Sequence, residues 1–206
     1  SSFQLQTMKK SPSVAVITNI SPNHLDMHKD YQEYIDAKKN IMLYQNEDDL
    51  VILNKDNDVT AALIPEAKGR CVAFSRTQEA GICLDGGYIT ANGRKVLNTA
   101  DIKVPGLHNV ENFMAAIGAT ASLVDREVIL KVAREFGGVE HRIEFVRELN
   151  GVKFYNSSID SSPNRTINTL RVFNSPVVLI AGGKDKGIPY DALGPVLLER
   201  GKALVL

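Results

Sequence analysis

The sequence lacks an excess of either charge, because its 24 lysine and arginine residues balance its 24 aspartate and glutamate residues. With no net field to attract polyanions, we expect neither a nucleic-acid partner nor binding to an anionic membrane. The chain also lacks an apolar run close to the roughly 20 residues that a membrane helix needs, and no signal peptide opens it. These absences predict a cytoplasmic protein with no membrane insertion, in which local groups hold any bound anion.

Cysteine is scarce as well. Cys71 and Cys83 are the two cysteines of the chain, and no CxxC pair exists. A disulfide between them is possible, but two free thiols in a reducing cytosol are favoured.

Neither of the two common nucleotide fingerprints is present. The glycine-rich segment 182–187 (GGKDKG) follows an apolar run and precedes a predicted helix, where backbone N–H groups and a lysine can meet an anion. Its spacing matches neither a P-loop nor a dinucleotide-binding turn. The segment is compatible with an anion-binding loop or with a flexible turn, and it does not support a Rossmann-type oxidoreductase.

What is present is an alternation of strand and helix signals. Short β-branched runs alternate with helical patterns through the first 75 residues, which indicates βαβ units and a mostly parallel sheet. The predicted strands are 13–18, 50–53 and 71–74, and the predicted helices are 31–44 and 59–64.

The pattern changes twice further along. Turn signals at 85–87 and 92–93 predict a small antiparallel insertion within 82–104. Two helices at 109–123 and 125–136 then lead to Gly137-Gly138, which is typical of a helix end and a hinge. We place a domain boundary there, with domains at 1–138 and 139–206.

The second domain is predicted to start with a hairpin. Asn150-Gly151 separates apolar runs at 144–149 and 152–155, and a helix begins at Pro163. The expected order then continues with a helix to 173, a strand at 177–181, a helix at 190–199 and a final strand. The fold class is therefore α/β.

Lys38 is the most unusual side chain in the helical patterns. It falls within an apolar stripe of the helix at 31–44, formed by Tyr31, Tyr34, Ile35, Ile41 and Met42. A lysine there either extends its ammonium to the helix edge or has its charge paired or removed. The second alternative would make Lys38 functional.

His24 and His28 are four residues apart, a spacing that could place two metal ligands on one helix face. No further cysteine or histidine nearby completes a zinc site, and the Ser-Pro-Asn before His24 indicates a loop. A single functional His24 after the first strand is the better hypothesis, because open α/β sheets bind ligands at strand ends.

Three further polar residues occupy positions suited to a nucleotide. Asn109 and Asn112 lie one turn apart at a helix start, where Asn109 could simply cap the helix or the pair could contact a purine edge. Arg142 follows the glycine hinge, where an arginine can reach a phosphate.

Taken together, these segments resemble the Mur ligase family. The resemblance covers the whole chain in order. It rests on six segments: 1–5 (SSFQL), 18–26 (TNISPNHLD), Tyr34 to Lys38, 106–109 (GLHN) with Asn112, His141-Arg142, and Gly182 to Lys186.

The resemblance implies an ATP-dependent, amide-forming ligase of peptidoglycan precursor synthesis. ATP phosphorylates a carboxylate, an amine attacks the acyl phosphate and phosphate leaves. The implied substrates are UDP-N-acetylmuramoyl-L-alanine and D-glutamate, and the implied cofactors are ATP and Mg²⁺. Residues 1–138 would form most of a P-loop-type central ATP-binding domain, and residues 139–206 part of a Rossmann-like C-terminal domain that binds the amino acid.

The resemblance also implies roles for individual residues. Lys38, carbamylated in the family, and His24 would act in catalysis and in metal binding. The residues implied to contact the nucleotide are Asn109, Asn112, Arg142 and Ser157. Those implied to contact the incoming amino acid are Lys186 and Ser161.

Several departures bear on activity. The family's P-loop and an acidic metal ligand would precede Ser1, so we expect a fragment that has no ligase activity alone. The family usually has an aspartate at the position of Ser157 and a small residue at that of Asp160, which bears on ribose binding. The alternatives are another ligase of the superfamily, such as folylpolyglutamate synthase or one adding a different cell-wall amino acid, or a truncated non-catalytic homologue.

Overall fold

The computed structural model describes residues 1–23, 25–184 and 188–206. The chain divides into two compact units. The first comprises Ser1–Lys103 and Leu107–Glu135, and the second comprises Val104–Gly106 and Phe136–Leu206. The assignment of an ATP-binding and an amino-acid-binding domain to either side of residue 138 stays a prediction.

The first unit is built on one six-stranded sheet whose strands lie side by side in sequence order. The first four strands run parallel to one another, and the fifth pairs antiparallel with both the fourth and the sixth, which confirms the α/β class with a mostly parallel sheet. The strands are β1 Val14–Ile17, β2 Leu50–Asn54, β3 Arg70–Ser75, β4 Ile82–Asp85, β5 Tyr88–Ala91 and β6 Arg94–Asn98.

The antiparallel part was predicted as an insertion, and it is an extension of the main sheet. β4 pairs in parallel with the end of β3, through Phe74 with Ile82 and Ser75 with Cys83. The turn signals at 85–87 and 92–93 specify only the local pairing of β4, β5 and β6. They carry no information about the longer-range pairing with β3.

Among the described residues, the helices that accompany this sheet are α1 Ser2–Gln6, α2 Tyr31–Leu43, α3 Asp58–Ala62, α4 Leu107–Thr120 and α5 Arg126–Glu135. Side-chain caps fix the starts of the first three, with Ser1 and Gln4 forming a capping box at α1. The Asp30 carboxylate accepts a hydrogen bond from the Glu33 N–H at 2.8 Å, and the Asn57 amide oxygen accepts one from the Thr60 N–H at 3.1 Å, as capping residues do.

The prediction that Asn109 caps α4 is wrong. The helix begins at Leu107, so Asn109 already lies in its first turn. Gly106, with φ of 99°, lets the chain turn into the helix two residues earlier than the polar side chains indicate.

The core of the first unit lies on both faces of the sheet, as expected of parallel strands. On one face, Tyr34 and Met42 of α2 pack against Val51 and Leu53 of β2. On the other, α4 comes so close that a Cβ at Gly118 would lie 3.1 Å from Ile82 and 3.2 Å from Ile52. All five residues of β2 are buried between these layers.

The second unit starts with the predicted hairpin. Strands β7 Glu144–Leu149 and β8 Val152–Asn156 are joined at Asn150 and Gly151, whose φ values are 51° and 79°. Both are left-handed, as a tight two-residue hairpin turn requires.

The rest of the second unit contains two helices and a parallel pair of strands. The elements are α6 Pro163–Leu170, β9 Val177–Ile180, α7 Leu193–Arg200 and β10 Gly201–Val205. β9, α7 and β10 form one βαβ unit, and Ile167 and Leu170 of α6 form a small core with Val196 of α7. Both helices are shorter than predicted. α6 ends at Leu170 and not at 173, and α7 begins at Leu193 and not at 190.

Candidate functional site

The carboxyl ends of β1 and β2 are joined by amide side chains. The Asn54 amide donates to the Thr18 carbonyl at 2.9 Å. The Asn57 amide accepts from the Ile20 N–H at 3.3 Å and donates to the Ile20 carbonyl at 3.2 Å. These bonds fix the loop that follows β1, at the edge of a parallel sheet where ligands bind in open α/β folds. The predicted site residue His24 lies outside the described residues.

Asp56, just after β2, receives three hydrogen bonds from the end of β3. They come from the Ser75 hydroxyl at 2.5 Å, the Arg76 N–H at 2.6 Å and the Thr77 hydroxyl at 2.7 Å. Burial by itself would raise the pKa of Asp56, but these hydrogen bonds and the positive charge of Arg76 outweigh it, so the pKa lies below its usual value.

Arg76 continues this network to α4. Its guanidinium Nε lies 2.8 Å from the Glu111 carboxylate. The Asn112 amide donates to the Asn109 amide oxygen at 3.2 Å. The two asparagines predicted to contact the nucleotide are thus adjacent, on the part of α4 that is held to the end of β3.

The apolar stripe around Lys38 has the predicted composition. Tyr34 and Met42 are buried, and Tyr31, Ile35 and Ile41 pack against the same core cluster. Lys38 is half-buried, and its Nζ lies 4.9 Å from the centroid of the Tyr34 ring. This is a cation–π contact of the unmodified ammonium, and a carbamylated Lys38 stays a prediction.

His28 is part of the packing next to this lysine. Its ring stacks on Phe3 at 5.3 Å and meets the edge of Tyr34 at 5.4 Å between centroids. Its Nε2 lies 3.0 Å from the Ser2 hydroxyl, and its side chain is 1% exposed. Its Nδ1 lies 3.5 Å from Glu33, too far for a good hydrogen bond.

These contacts make His28 a structural residue and do not support a zinc pair with His24. Within 1–23, 25–184 and 188–206, no group of three histidine, cysteine, aspartate or glutamate residues could hold a metal ion. Mg²⁺ is usually held by one or two carboxylates together with waters and phosphate oxygens, and not by a cluster of protein ligands, so Mg²⁺ binding stays a prediction. Cys71 and Cys83 are free thiols, as expected.

In the second unit, Arg142 is exposed. No hydrogen-bond or ion-pair partner of its guanidinium occurs in the part of the chain that the structure describes. His141 and Ile143 on either side have φ values of 63° and 49°, which non-glycine residues rarely adopt. The arginine is thus presented to solvent by a constrained backbone.

Ser157 lies half-buried after β8, and its hydroxyl is engaged within the protein. It accepts from the Ile143 N–H at 3.2 Å and donates to the Asp160 carboxylate at 2.8 Å. Ser161 is exposed in the same loop. Lys186, the predicted contact for the amino acid, lies outside the described residues.

A shallow cavity of about 370 Å³ lies between α2 and α3. Apolar residues such as Ile35 and Val59 and charged residues such as Lys39 and Glu66 line it, and Lys39 forms an ion pair with Glu66 there. None of the predicted site residues lines it, so the carboxyl edge of the sheet remains the better candidate.

Comparison with known proteins agrees with this fold. The Mur ligase middle domain matches residues 1–120, which is more than half of the chain. The chain therefore belongs to the Mur ligase family. No helix in the described ranges is long and apolar enough to cross a membrane.

Two relatives that match the whole chain are both named UDP-N-acetylmuramoylalanine–D-glutamate ligase. The protein of Ruminiclostridium cellulolyticum is 56% identical and that of Acetivibrio thermocellus 57% identical, and the match covers 100% of this chain and 46% of each relative. The chain thus spans about half the length of the curated relatives it matches.

The solved structures show the same fold. MurF ligase from Thermotoga maritima in complex with ADP has a TM-score of 0.73 at 16% identity, covering 95% of this chain and 49% of that one. The UDP-N-acetylmuramate–alanine ligase MurC from Thermotoga maritima has a TM-score of 0.70 at 21% identity, covering 95% and 46%. At these identities the likeness concerns the fold alone.

Sequence reasoning missed the network of Asp56, Arg76 and Glu111. The available signal was the position of Asp56 and Arg76 just after two predicted parallel strands, which end at the same sheet edge. Glu111 carried no comparable signal, because its pairing with Arg76 depends on how α4 packs against the sheet.

Proposed function

We propose that this chain forms part of an ATP-dependent ligase that joins D-glutamate to UDP-N-acetylmuramoyl-L-alanine in peptidoglycan precursor synthesis. The observation that carries the proposal is the 56–57% identity, over the whole chain, to two relatives named for that reaction. The reaction would activate the carboxylate as an acyl phosphate, which the amine of D-glutamate attacks. ATP and Mg²⁺ are the expected cofactors, and the cytoplasm is the expected location.

The described residues support a nucleotide-binding role. The adjacent amides of Asn109 and Asn112 offer both donors and acceptors to a purine edge. The exposed Arg142 offers a fork of N–H donors that suits a phosphate. Developing negative charge on the transferred phosphoryl group would be neutralised by such cationic groups.

The remaining roles follow from the family resemblance. Lys38 and His24 would act near the reacting phosphate and in metal binding, and Lys186 and Ser161 would bind the amino acid. Ser157 was expected at the nucleotide, and its engaged hydroxyl favours an indirect role instead.

A non-catalytic homologue is the second candidate, and the serine at position 157 is the observation that favours it. A different cell-wall ligase or a folylpolyglutamate synthase is less favoured, because the relatives at 56–57% identity carry the D-glutamate name.

The test is phosphate release by the longer protein that contains this chain, with ATP, Mg²⁺ and UDP-N-acetylmuramoyl-L-alanine. We expect turnover with D-glutamate and none with L-glutamate, L-lysine or without Mg²⁺. Turnover with another amino acid only would reassign the substrate, and no turnover with any would favour the non-catalytic homologue. The 206-residue chain alone is expected to be inactive, and measurable turnover by it would refute that expectation.

A further inference from the structure

The segment 141–143 in the second unit contains an arginine between two residues in the left-handed backbone region. The φ values are 63° at His141 and 49° at Ile143. Because isoleucine is β-branched, this conformation is a genuine outlier for it. Such strain persists only where surrounding contacts hold it, and it concentrates at functional sites.

The last residue of β8 and the loop between β8 and α6 supply those contacts. The Asn156 amide lies 2.9 Å from His141 Nδ1, and the Ile159 N–H donates to the His141 carbonyl at 3.3 Å. On the other side of Arg142, the Ile143 N–H donates to the Ser157 hydroxyl at 3.2 Å. Both flanking residues are thus held by the same loop.

Asp160 orients the hydroxyl that holds Ile143. Its Oδ2 accepts hydrogen bonds from the Ser157 hydroxyl at 2.8 Å and from the Thr169 hydroxyl of α6 at 2.5 Å. A hydroxyl has one proton. The hydroxyl proton of Ser157 points to Asp160. A lone pair of the Ser157 oxygen is therefore left to accept the hydrogen bond from the Ile143 N–H. Thr169 in turn connects Asp160 to α6.

We propose that Asp160 is a positioning residue for Arg142, acting through Ser157 and the backbone of Ile143. It fixes the conformation in which the exposed guanidinium meets the triphosphate of the nucleotide. The inference rests on the proposed function for its ligand, whereas the hydrogen-bonded chain from Asp160 to Ile143 is independent of it. In this chain the acidic side chain at 160 acts on the nucleotide site without touching the nucleotide.

The experiment combines two variants at Asp160 with a double-mutant cycle in the longer ligase. Asp160→Ala should raise the KM for ATP about tenfold, the effect of one misplaced charge-assisted contact. Asp160→Asn should stay within about twofold of the parent, since an amide oxygen can accept from both hydroxyls. In an Arg142→Ala background, Asp160→Ala should cause almost no further loss.

The control is Glu148→Ala, which removes an exposed carboxylate from β7 of the same unit and should leave the KM for ATP unchanged. Two results would overturn the proposal. An Asp160→Asn variant as impaired as Asp160→Ala would mean that the charge acts directly on the ligand. Additive losses in the double mutant would mean that Asp160 does not act through Arg142.

A second measurement keeps the test independent of ligase activity. Amide hydrogen exchange at Ile143 should accelerate in Ser157→Ala and Asp160→Ala, and not in Glu148→Ala. Unchanged exchange at Ile143 in both variants would refute the hydrogen-bonded chain. If the parent protein shows no ATP-dependent turnover but the exchange result holds, the proposed function fails and the structural role of Asp160 stands.

Discussion

At the residue scale, the acidic and basic side chains at the strand ends act mainly on one another. Asp56 uses both carboxylate oxygens for groups at the end of β3, and Arg76 connects that point to Glu111 of α4. These side chains stabilise the edge of the sheet to which α4 is held.

Replacing Asp56 by asparagine should reduce stability in a pH-dependent way. At pH 7 we expect a loss on the order of 1–3 kcal/mol, because hydrogen bonds to a charged acceptor are exchanged for weaker ones. The pKa of Asp56 is lowered in the folded state, so its contribution is complete above the unfolded value of about 3.9 and is lost as pH falls through the lower folded value.

Urea unfolding of the parent and the Asp56→Asn variant at pH 7, 5 and 3 would check this prediction. The difference between the two proteins should be the same at pH 7 and 5 and smaller at pH 3. Glu47→Gln, at an exposed position, serves as the control. A difference that grows on acidification would contradict the assigned direction of the pKa.

Lys38 and its neighbour Lys39 provide a matched pair for catalysis. We expect Lys38→Ala to lower kcat of the longer ligase by on the order of 10²–10³-fold, as for loss of a group that stabilises transition-state charge. Lys39 pairs with Glu66 on the protein surface, so Lys39→Ala should change stability by about 0–1 kcal/mol and leave kcat intact. Equal effects of the two substitutions on kcat would contradict a catalytic role for Lys38.

At the scale of elements, the position of α4 depends on a glycine. A Cβ at Gly118 would lie 3.1–3.2 Å from Ile82 and Ile52, closer than an unstrained contact. Any larger residue at that point therefore requires the Ile82 and Ile52 side chains to shift by at least a few tenths of an ångström.

Gly118→Val should destabilise the first unit by about 1–3 kcal/mol through overpacking. Ala116→Val, on the exposed side of the same helix, should cost at most about 0.7 kcal/mol, the helix-propensity difference. Chemical unfolding followed by circular dichroism measures both. A Gly118→Val variant as stable as Ala116→Val would show that the sheet residues can move aside.

Helices and hairpins were predicted well where residues close together in the sequence specify them. The helix at 31–44 and the hairpin at 150–151 have near-identical bounds in the structure, because an apolar stripe and an Asn-Gly turn specify them. The start of α4 was misplaced, since Gly106 and not Asn109 determines the entry into that helix. The apolar residues predicted to surround Lys38 do pack in one cluster. The cation–π contact of Lys38 with Tyr34 was not predicted, because the rotamer of a lysine depends on its three-dimensional surroundings.

At the scale of the whole molecule, the second unit exposes apolar side chains on its strands. Val178 and Ile180 of β9 are 57% and 77% exposed, whereas Val177 packs toward α6 and α7. A parallel sheet is normally covered on both faces. This uncovered face agrees with the proposal that the chain forms part of a longer ligase.

The two-unit division makes a prediction for proteolysis. Residues 136–142 are all exposed, and exposed connecting segments are preferred sites of cleavage. We expect chymotrypsin to cut first after Phe136, giving two fragments that mass spectrometry identifies. Phe136→Gln should slow that first cut, and Phe173→Gln should not. A first cut at Phe74, which is fully buried in the sheet, would contradict the division.

The sequence by itself determined the α/β class, the hairpin, the helical stripe with Lys38 and the resemblance to Mur ligases, because these depend on periodicity, turn chemistry and short ordered motifs. Only the tertiary structure decided that β4 pairs with β3, that Asp56 and Arg76 connect the sheet to α4, and that Asp160 and Ser157 hold the backbone around Arg142. Each of those relations joins residues that are close in space but carry no common pattern along the chain. A hydrogen bond across a loop or a sheet edge depends on packing, which a one-dimensional pattern does not contain.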